Sequence, residues 1–305
     1  MATRYPKDPG LTQRMVLTMF LLGLVYVAFV AVIVYYSSSF AFALVLAAGF
    51  LLLQYLASDR IALYAMGGRE VTPQQAPEVH AIIDRLCALA DMPKPRVAVA
   101  DTDMPNAFAT GRDPKHAVVC VTTGLMRRLD EPEVEAVLAH ELSHIAHRDV
   151  AVMTIASFLG IAAGMLTRFA MYSGMWGGGR RDSRDGGVPV VLIVMLVSAL
   201  VYAVSFLLTR ALSRYRELSA DRAGATLIGR PSTLASALVK VSGEMARIPT
   251  RDLRKAEPIN AFFFAPALAG KGRQEMSLAD LFATHPPLEK RLDQLARMER
   301  EMGLA

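Results

Sequence analysis

His140-Glu141-Leu142-Ser143-His144 decides how this 305-residue chain is read. Two histidines at i and i+4 share one helix face, about 6 Å apart, so both imidazoles can reach one Zn2+ at roughly 2.0–2.1 Å. Glu141 lies beside them and does not easily join the same tetrahedron. It is placed to take a proton from a water that the metal activates. The flanking residues favour a helix. Asp130 can cap it, Pro132 suits a first turn, and Glu133 sits where a capping box needs it. Val134, Val137, Leu138, Leu142 and Ile145 then recur at helical spacing. The bland alternatives are a buried structural histidine pair and a chance match, which arises on the order of once in a hundred such chains.

A zinc site needs a third protein ligand and an open position for water. His147 lies seven residues beyond His140, roughly 10 Å along the helix axis, too far for one ion to be shared without breaking the helix. The metzincin pattern puts a histidine six residues after the second one, and position 150 is Val150. The remaining common option is a glutamate from a later helix. Arg216-Glu217-Leu218-Ser219-Ala220-Asp221 supplies it. Glu217 and Asp221 are i and i+4, so Glu217 would ligate and Asp221 could accept the N–H of a ligand histidine. Without the histidine motif, a solvated helix face would explain this pair equally well.

Outward from these helices the chain is unusually apolar. Hydrophobic residues make up 53% and charged residues 20%, and mean hydropathy is +0.33. This excludes a disordered chain, a collagen or a disulfide mini-scaffold. Cys87 and Cys120 have no CxxC spacing, which fits a reducing compartment for the soluble part. The apolar residues cluster. Met15–Tyr36 and Val188–Thr209 each run 22 residues without a charge, Phe40–Ser58 runs 19, and Val150–Thr167 runs 18. About 20 apolar residues cross a bilayer as a helix. Four transmembrane helices are expected, in two hairpins. The Val150 stretch is short and contains Gly160 and Gly164, so a later pair that enters the bilayer only in part stays open. Ser37-Ser38-Ser39 reads as the turn of the first hairpin, and Gly177–Gly187 as a flexible loop in the second. Arg4, Lys7 and Arg14 precede the first span, and Arg210, Arg214 and Arg216 follow the last. By the positive-inside rule both ends, and the soluble parts, face the cytoplasm. The net charge of +5 is dispersed, which speaks against a nucleic-acid partner.

The soluble material falls in two blocks. Ala76–Leu89 reads as an amphipathic helix. Arg96–Ala100 and Ala117–Thr122 read as strands, with a possible third strand between them ending in a turn at Gly111-Arg112-Asp113-Pro114. The expected organisation is a membrane hairpin at 1–58, a first catalytic part at 59–149, a second hairpin at 150–209 and a second catalytic part at 210–305. The fold class is thus a mainly α membrane protein with an α+β, zincin-like protease domain and a small sheet.

Four blocks together resemble the HtpX-type membrane zinc metalloproteases, which are related to the CaaX prenyl endopeptidases. They are Asn106-Ala107-Phe108-Ala109-Thr110-Gly111, the His140–His144 motif with Asp149 five residues on, Arg216–Asp221, and Leu281-Phe282-Ala283-Thr284-His285-Pro286-Pro287-Leu288-Glu289-Lys290-Arg291. The resemblance spans nearly the whole chain, with the hydrophobic pairs where the family has them. It implies one zinc per chain held by His140, His144 and Glu217, with Glu141 catalytic and Asp221 and Asp149 behind the ligands. His285 and Arg291 match a His–Arg pair near the substrate carbonyl, able to hold an oxyanion. Read alone, His285-Pro286-Pro287 would be a plain helix start. Asn106–Thr110 matches an edge strand that pairs with an extended peptide.

The activity so implied is that of a gluzincin-type endopeptidase in the cell membrane. Its substrates would be unfolded or damaged membrane proteins, in quality control and stress response. One departure stands out: His147-Arg148, where some relatives carry Asn-Gly. Two rivals remain. A prenyl-protein endopeptidase has more spans than four hydrophobic stretches allow, and a non-enzymatic scaffold would not need Glu141, Glu217 and His285 intact.

Overall fold

The computed structural model describes residues 5–36, 49, 63–64, 66–111, 113–149, 152–153, 190–247 and 285–304. It is mainly helical, with one small mixed sheet. The first helix, α1, spans Pro9–Tyr36. Asp8 caps it, its Oδ1 accepting from the Leu11 N–H at 2.8 Å. Val16, Leu17, Phe20, Leu24 and Val27 are exposed along it, an apolar surface suited to lipid rather than water.

Strands β1 (Gly68–Glu70), β2 (Arg96–Ala100), β3 (Ala107–Thr110) and β4 (Val118–Thr122) lie in the order β1-β2-β4-β3. The central pair β2–β4 is parallel, and β1 and β3 flank it antiparallel. Glycine is required at the predicted turn. Gly111 has φ of +135°, and a Cβ there would sit 2.7 Å from the His116 carbonyl oxygen. The sheet packs on α2 (Pro77–Ala90), the short α3 (Thr123–Arg128) and α4 (Glu131–His147). Ile83, Leu86, Val119, Val121, Leu125, Leu138 and Leu142 share that core, which α6 (Pro231–Arg247) and α7 (Leu288–Glu301) extend through Leu234, Leu238 and Leu295. Cys87 and Cys120 are unpaired and buried, and burial pushes their thiols up to about 11 and about 12.

Helix α5 (Val190–Ile228) differs from expectation. The apolar stretch and the Glu217 segment were expected as separate elements. They form one 39-residue rod, about 58 Å long. The reason is local: no proline lies within it and the first glycine is Gly224, so nothing breaks the helix between the apolar stretch and the soluble core. Leu22 of α1 packs on Val201 of α5, flanked by Val25, Tyr26 and Val197.

Among the described residues two helices, α1 and α5, are long and apolar enough to cross a membrane. Four such spans were expected. The other two stretches, Phe40–Ser58 and Val150–Thr167, lie outside the described residues apart from Gly49, Val152 and Met153. So do the Ser37–Ser39 turn and the Gly177–Gly187 loop.

Candidate metal centre

Helix α4 begins as its sequence requires. Asp130 and Glu133 form the reciprocal capping box, with the Asp130 N–H donating to Glu133 Oε2 at 3.0 Å. The apolar positions turn inward, and the polar residues of the motif go with them: His140, Glu141, Ser143 and His144 are all buried. Burying these groups is costly unless each finds a partner.

The partners come from two directions. His140 Nδ1 lies 2.9 Å from Asp221 Oδ1, and His144 Nδ1 hydrogen-bonds Asp149 Oδ2 at 2.9 Å. With Nδ1 committed, each ring turns Nε2 toward Glu217. His140 Nε2 lies 3.6 Å from Glu217 Oε2, and His144 Nε2 lies 3.6 Å from Oε1. Tetrahedral ligands on bonds of about 2.1 Å stand about 3.4 Å apart. The donor atoms of His140, His144 and Glu217 all fall within 4.8 Å of one another. Two imidazoles and one carboxylate at this spacing fit a zinc-class ion.

Each orienting carboxylate is itself held by an arginine. Arg291 Nε and Nη2 bond to Asp221 at 2.7 and 2.6 Å. Arg216 Nε lies 3.1 Å from Asp149 Oδ1. The result is two chains of contacts, Arg291–Asp221–His140 and Arg216–Asp149–His144. Sequence reasoning missed the second arginine. Its only signal was adjacency to Glu217. It also assigned Arg291 to an oxyanion with His285, whereas here the Arg291 side chain is 1% exposed and its fork is spent on Asp221, with Nη1 3.9 Å from Glu217 Oε2.

His285 does reach the centre, its Nδ1 3.3 Å from Glu217 Oε2. Burial pushes Glu217 up, but the charge of His285 and the close approach of the His140 and His144 rings more than reverse this, holding the carboxyl well below the usual range. Glu141 is different. Burial raises it, and the charges of His140 and His144 offset this only in part. Its Oε2 accepts the Ala109 N–H at 2.9 Å.

That bond joins Glu141 to the predicted substrate strand. β3 is the margin of the sheet, paired on one side with β4. Asn106, just before it, is tied to Thr122 by N–H donation to Oγ1 at 2.9 Å. All of Asn106–Thr110 is buried, so this edge is covered.

Helices α4 and α5 approach closely near His140 and Glu217. A Cβ on Gly224 would come within 2.9 Å of His140 N and 3.0 Å of its Cα. Only glycine permits this contact, which brings Glu217 within reach of both histidines.

Residues 73–299 match Peptidase family M48, and the chain belongs to that family. It is therefore a metallopeptidase, a hydrolase of peptide bonds. Within the family it is of the HtpX type. It is 58% identical over 305 residues to Protease HtpX homolog 1 of Streptomyces coelicolor, covering 100% of this chain and 98% of that one. It is 54% identical over 297 residues to the Protease HtpX homolog of Moorella thermoacetica, covering 97% and 96%. Among solved structures, the crystal structure of S. mikatae Ste24p matches with a TM-score of 0.49 and 16% identity, over 94% of this chain and 66% of that one. Its two long apolar helices suit membrane association, and a peptidase acts on protein substrates.

Proposed function

We propose that this metallopeptidase is a multi-pass, zinc-dependent endopeptidase of the gluzincin type. It cleaves misfolded or damaged membrane proteins from the cytoplasmic side of the cell membrane, in quality control and stress response. One observation carries the reading: two histidines of α4 and a glutamate of α5 converge within 4.8 Å, with Glu141 beside them bonded to the sheet margin.

His140, His144 and Glu217 would hold the zinc, which when bound would supply Lewis acidity to the scissile carbonyl and to the attacking water. The chain's own residues do the rest. Asp221 and Asp149 fix the ring orientation that leaves each Nε2 facing the centre. Glu141 takes the proton from the attacking water and passes it to the leaving amine nitrogen. The outer edge of β3, covered in this structure, accepts an extended peptide as an added strand once that cover is displaced. Backbone pairing reads no side chains, which suits many unfolded segments. His285 meets the charge that develops on the carbonyl oxygen. Arg291 is a positioning residue that acts through Asp221 and lends positive charge to the buried cluster.

The membrane arrangement follows the same reading. Hairpins at 1–58 and 150–209 alternate with catalytic parts at 59–149 and 210–305. The unbroken α5 supports this, because it joins an apolar stretch to Glu217 in one rod. Arg14, Arg210 and Arg214 on the protease side of the apolar stretches support the cytoplasmic orientation.

Cleavage of unfolded casein by the purified protein in detergent tests the chemistry. The wild type should cleave. A zinc chelator should stop it, and added zinc should restore it. Glu141→Gln should lose about 10²–10⁴-fold in rate, the usual contribution of a positioned base. Equal cleavage by both proteins would overturn the mechanism.

A further inference from the structure

The four residues ahead of α1 dock onto both ligand-bearing helices. Tyr5 is 3% exposed, and its hydroxyl donates to the Ala139 carbonyl at 2.8 Å. Ala139 immediately precedes His140. The same Ala139–His140 peptide lies tight against α5, because a Cβ on Gly224 would meet His140 N at 2.9 Å and Ala139 C at 3.2 Å. One peptide bond is thus gripped by α5 and by the start of the chain. The Pro6 carbonyl accepts from His147 Nε2 at 3.1 Å. This gives His147, which has no place among the metal donors, a definite contact.

Asp8 reaches the other helix. Its Oδ2 accepts from Ser219 Oγ at 2.7 Å, two residues beyond Glu217, while its Oδ1 caps α1 through Leu11 N. Tyr215 Oη lies 3.4 Å from the same carboxylate. A short stretch of coil therefore links α1, α4 and α5 at once. Its contacts bracket His140 on one helix and Glu217 on the other. Those two ligands stand 3.6 Å apart only while α4 and α5 keep their register. A misplacement of about 1 Å in an active site costs roughly 10²-fold in rate.

We propose that Tyr5–Asp8 is a strap that sets the register of α4 against α5 and couples it to the first membrane helix, with Tyr5 and Asp8 as positioning residues. This rests on the proposed peptidase mechanism. The strap touches neither substrate nor metal, so it acts on the placement of His140 and Glu217. Movement of α1 in the bilayer then reaches the metal centre through about four residues of coil.

The test uses the full chain in detergent, with casein cleavage and zinc affinity by competition with a chromophoric chelator. Tyr5→Phe keeps the ring and removes only the hydroxyl. It should lower kcat about three- to tenfold, as loss of one buried hydrogen bond supports, with KM within about twofold. Zinc affinity should fall in parallel. Asp8→Ala should do the same, and Asp8→Asn, which keeps an acceptor oxygen, should recover most of the loss. Ser219→Ala should add little to Asp8→Ala, because the two share one bond. Wild-type kcat and zinc affinity in Tyr5→Phe and Asp8→Ala, beside an inactive Glu141→Gln, would overturn the strap alone. So would a lower thermal midpoint with kcat unchanged. An active Glu141→Gln would instead remove the mechanism on which the strap rests.

Discussion

The two zinc-ligand histidines of the proposed site are oriented by the same device assembled from different distances. His144 leans on Asp149, five residues further along the chain, and Asp149 leans on Arg216. His140 leans on Asp221 from α5, and Asp221 on Arg291 from α7. The first arrangement is half local. The second exists only when three helices pack. The difference teaches where the centre is fragile. A local carboxylate stays near its histidine if the fold loosens, whereas a remote one leaves with its helix.

Removing each carboxylate is the strongest way to break that comparison. Asp221→Ala takes from Arg291, whose side chain is 1% exposed, its nearest carboxylate and leaves Glu217 at 3.9 Å. Removing one partner of a buried ion pair of this kind costs about 3–5 kcal/mol. Asp149→Ala strands Arg216, whose side chain is 11% exposed and closer to water. Its cost should be smaller, about 1–3 kcal/mol. Thermal unfolding in detergent measures both, and equal losses would show that the remote arrangement is no more fragile.

Gly224→Ala strikes the contact that holds the remote half against the local one. The added Cβ meets backbone atoms of His140, which cannot rotate away. Overpacking of this sort costs about 1–3 kcal/mol. Zinc affinity should fall as well, since α5 must back away and carry Glu217 with it. A variant with unchanged midpoint and unchanged zinc affinity would remove the close approach from the account.

Smaller effects sharpen the local half. Arg148 ends α4 in the left-handed region at φ of +57°. Glycine adopts that conformation freely, so Arg148→Gly should stabilise the chain by about 1 kcal/mol, read from the same midpoint.

The smallest effect lies at the other end of α4. Burial raises Glu133, but bonds from Lys240, Ser236 and the Asp130 N–H outweigh it and leave the carboxyl lowered. A lowered carboxylate stabilises the folded state fully above its unfolded value, about 4.3, and loses this as pH falls through the folded value. The midpoint difference between wild type and Glu133→Gln should therefore be constant from pH 7 to 5 and shrink below about pH 4. A difference that stays constant to pH 3 would contradict the pairing.

The same local-versus-remote contrast explains what the sequence made legible. The α4 helix, its cap and its two histidines rest on spacings of three and four residues, so a single segment announces them. Glu217 and Asp221 were found the same way, as an i and i+4 pair. Strands β2 and β4 were read from their β-branched runs. The three-residue β1 has too few positions to carry a pattern. Tyr5 gave no signal and Arg216 only its place beside Glu217, because each is defined by a partner 67 or more residues away. Arg291 could be noticed, but its partner could not. The register of α4 against α5 is likewise invisible, although Gly224 shows afterwards why it is possible.

The central claim is that the local and remote halves close on one metal ion. Zinc content of the purified full chain tests it most directly, in the wild type, Glu141→Gln and Glu217→Ala. The wild type and Glu141→Gln should each carry about one zinc per chain, and Glu217→Ala should lose most of it in dialysis against a mild chelator. A Glu217→Ala protein that folds and keeps its zinc as tightly as the wild type would mean that α4 holds the metal without α5.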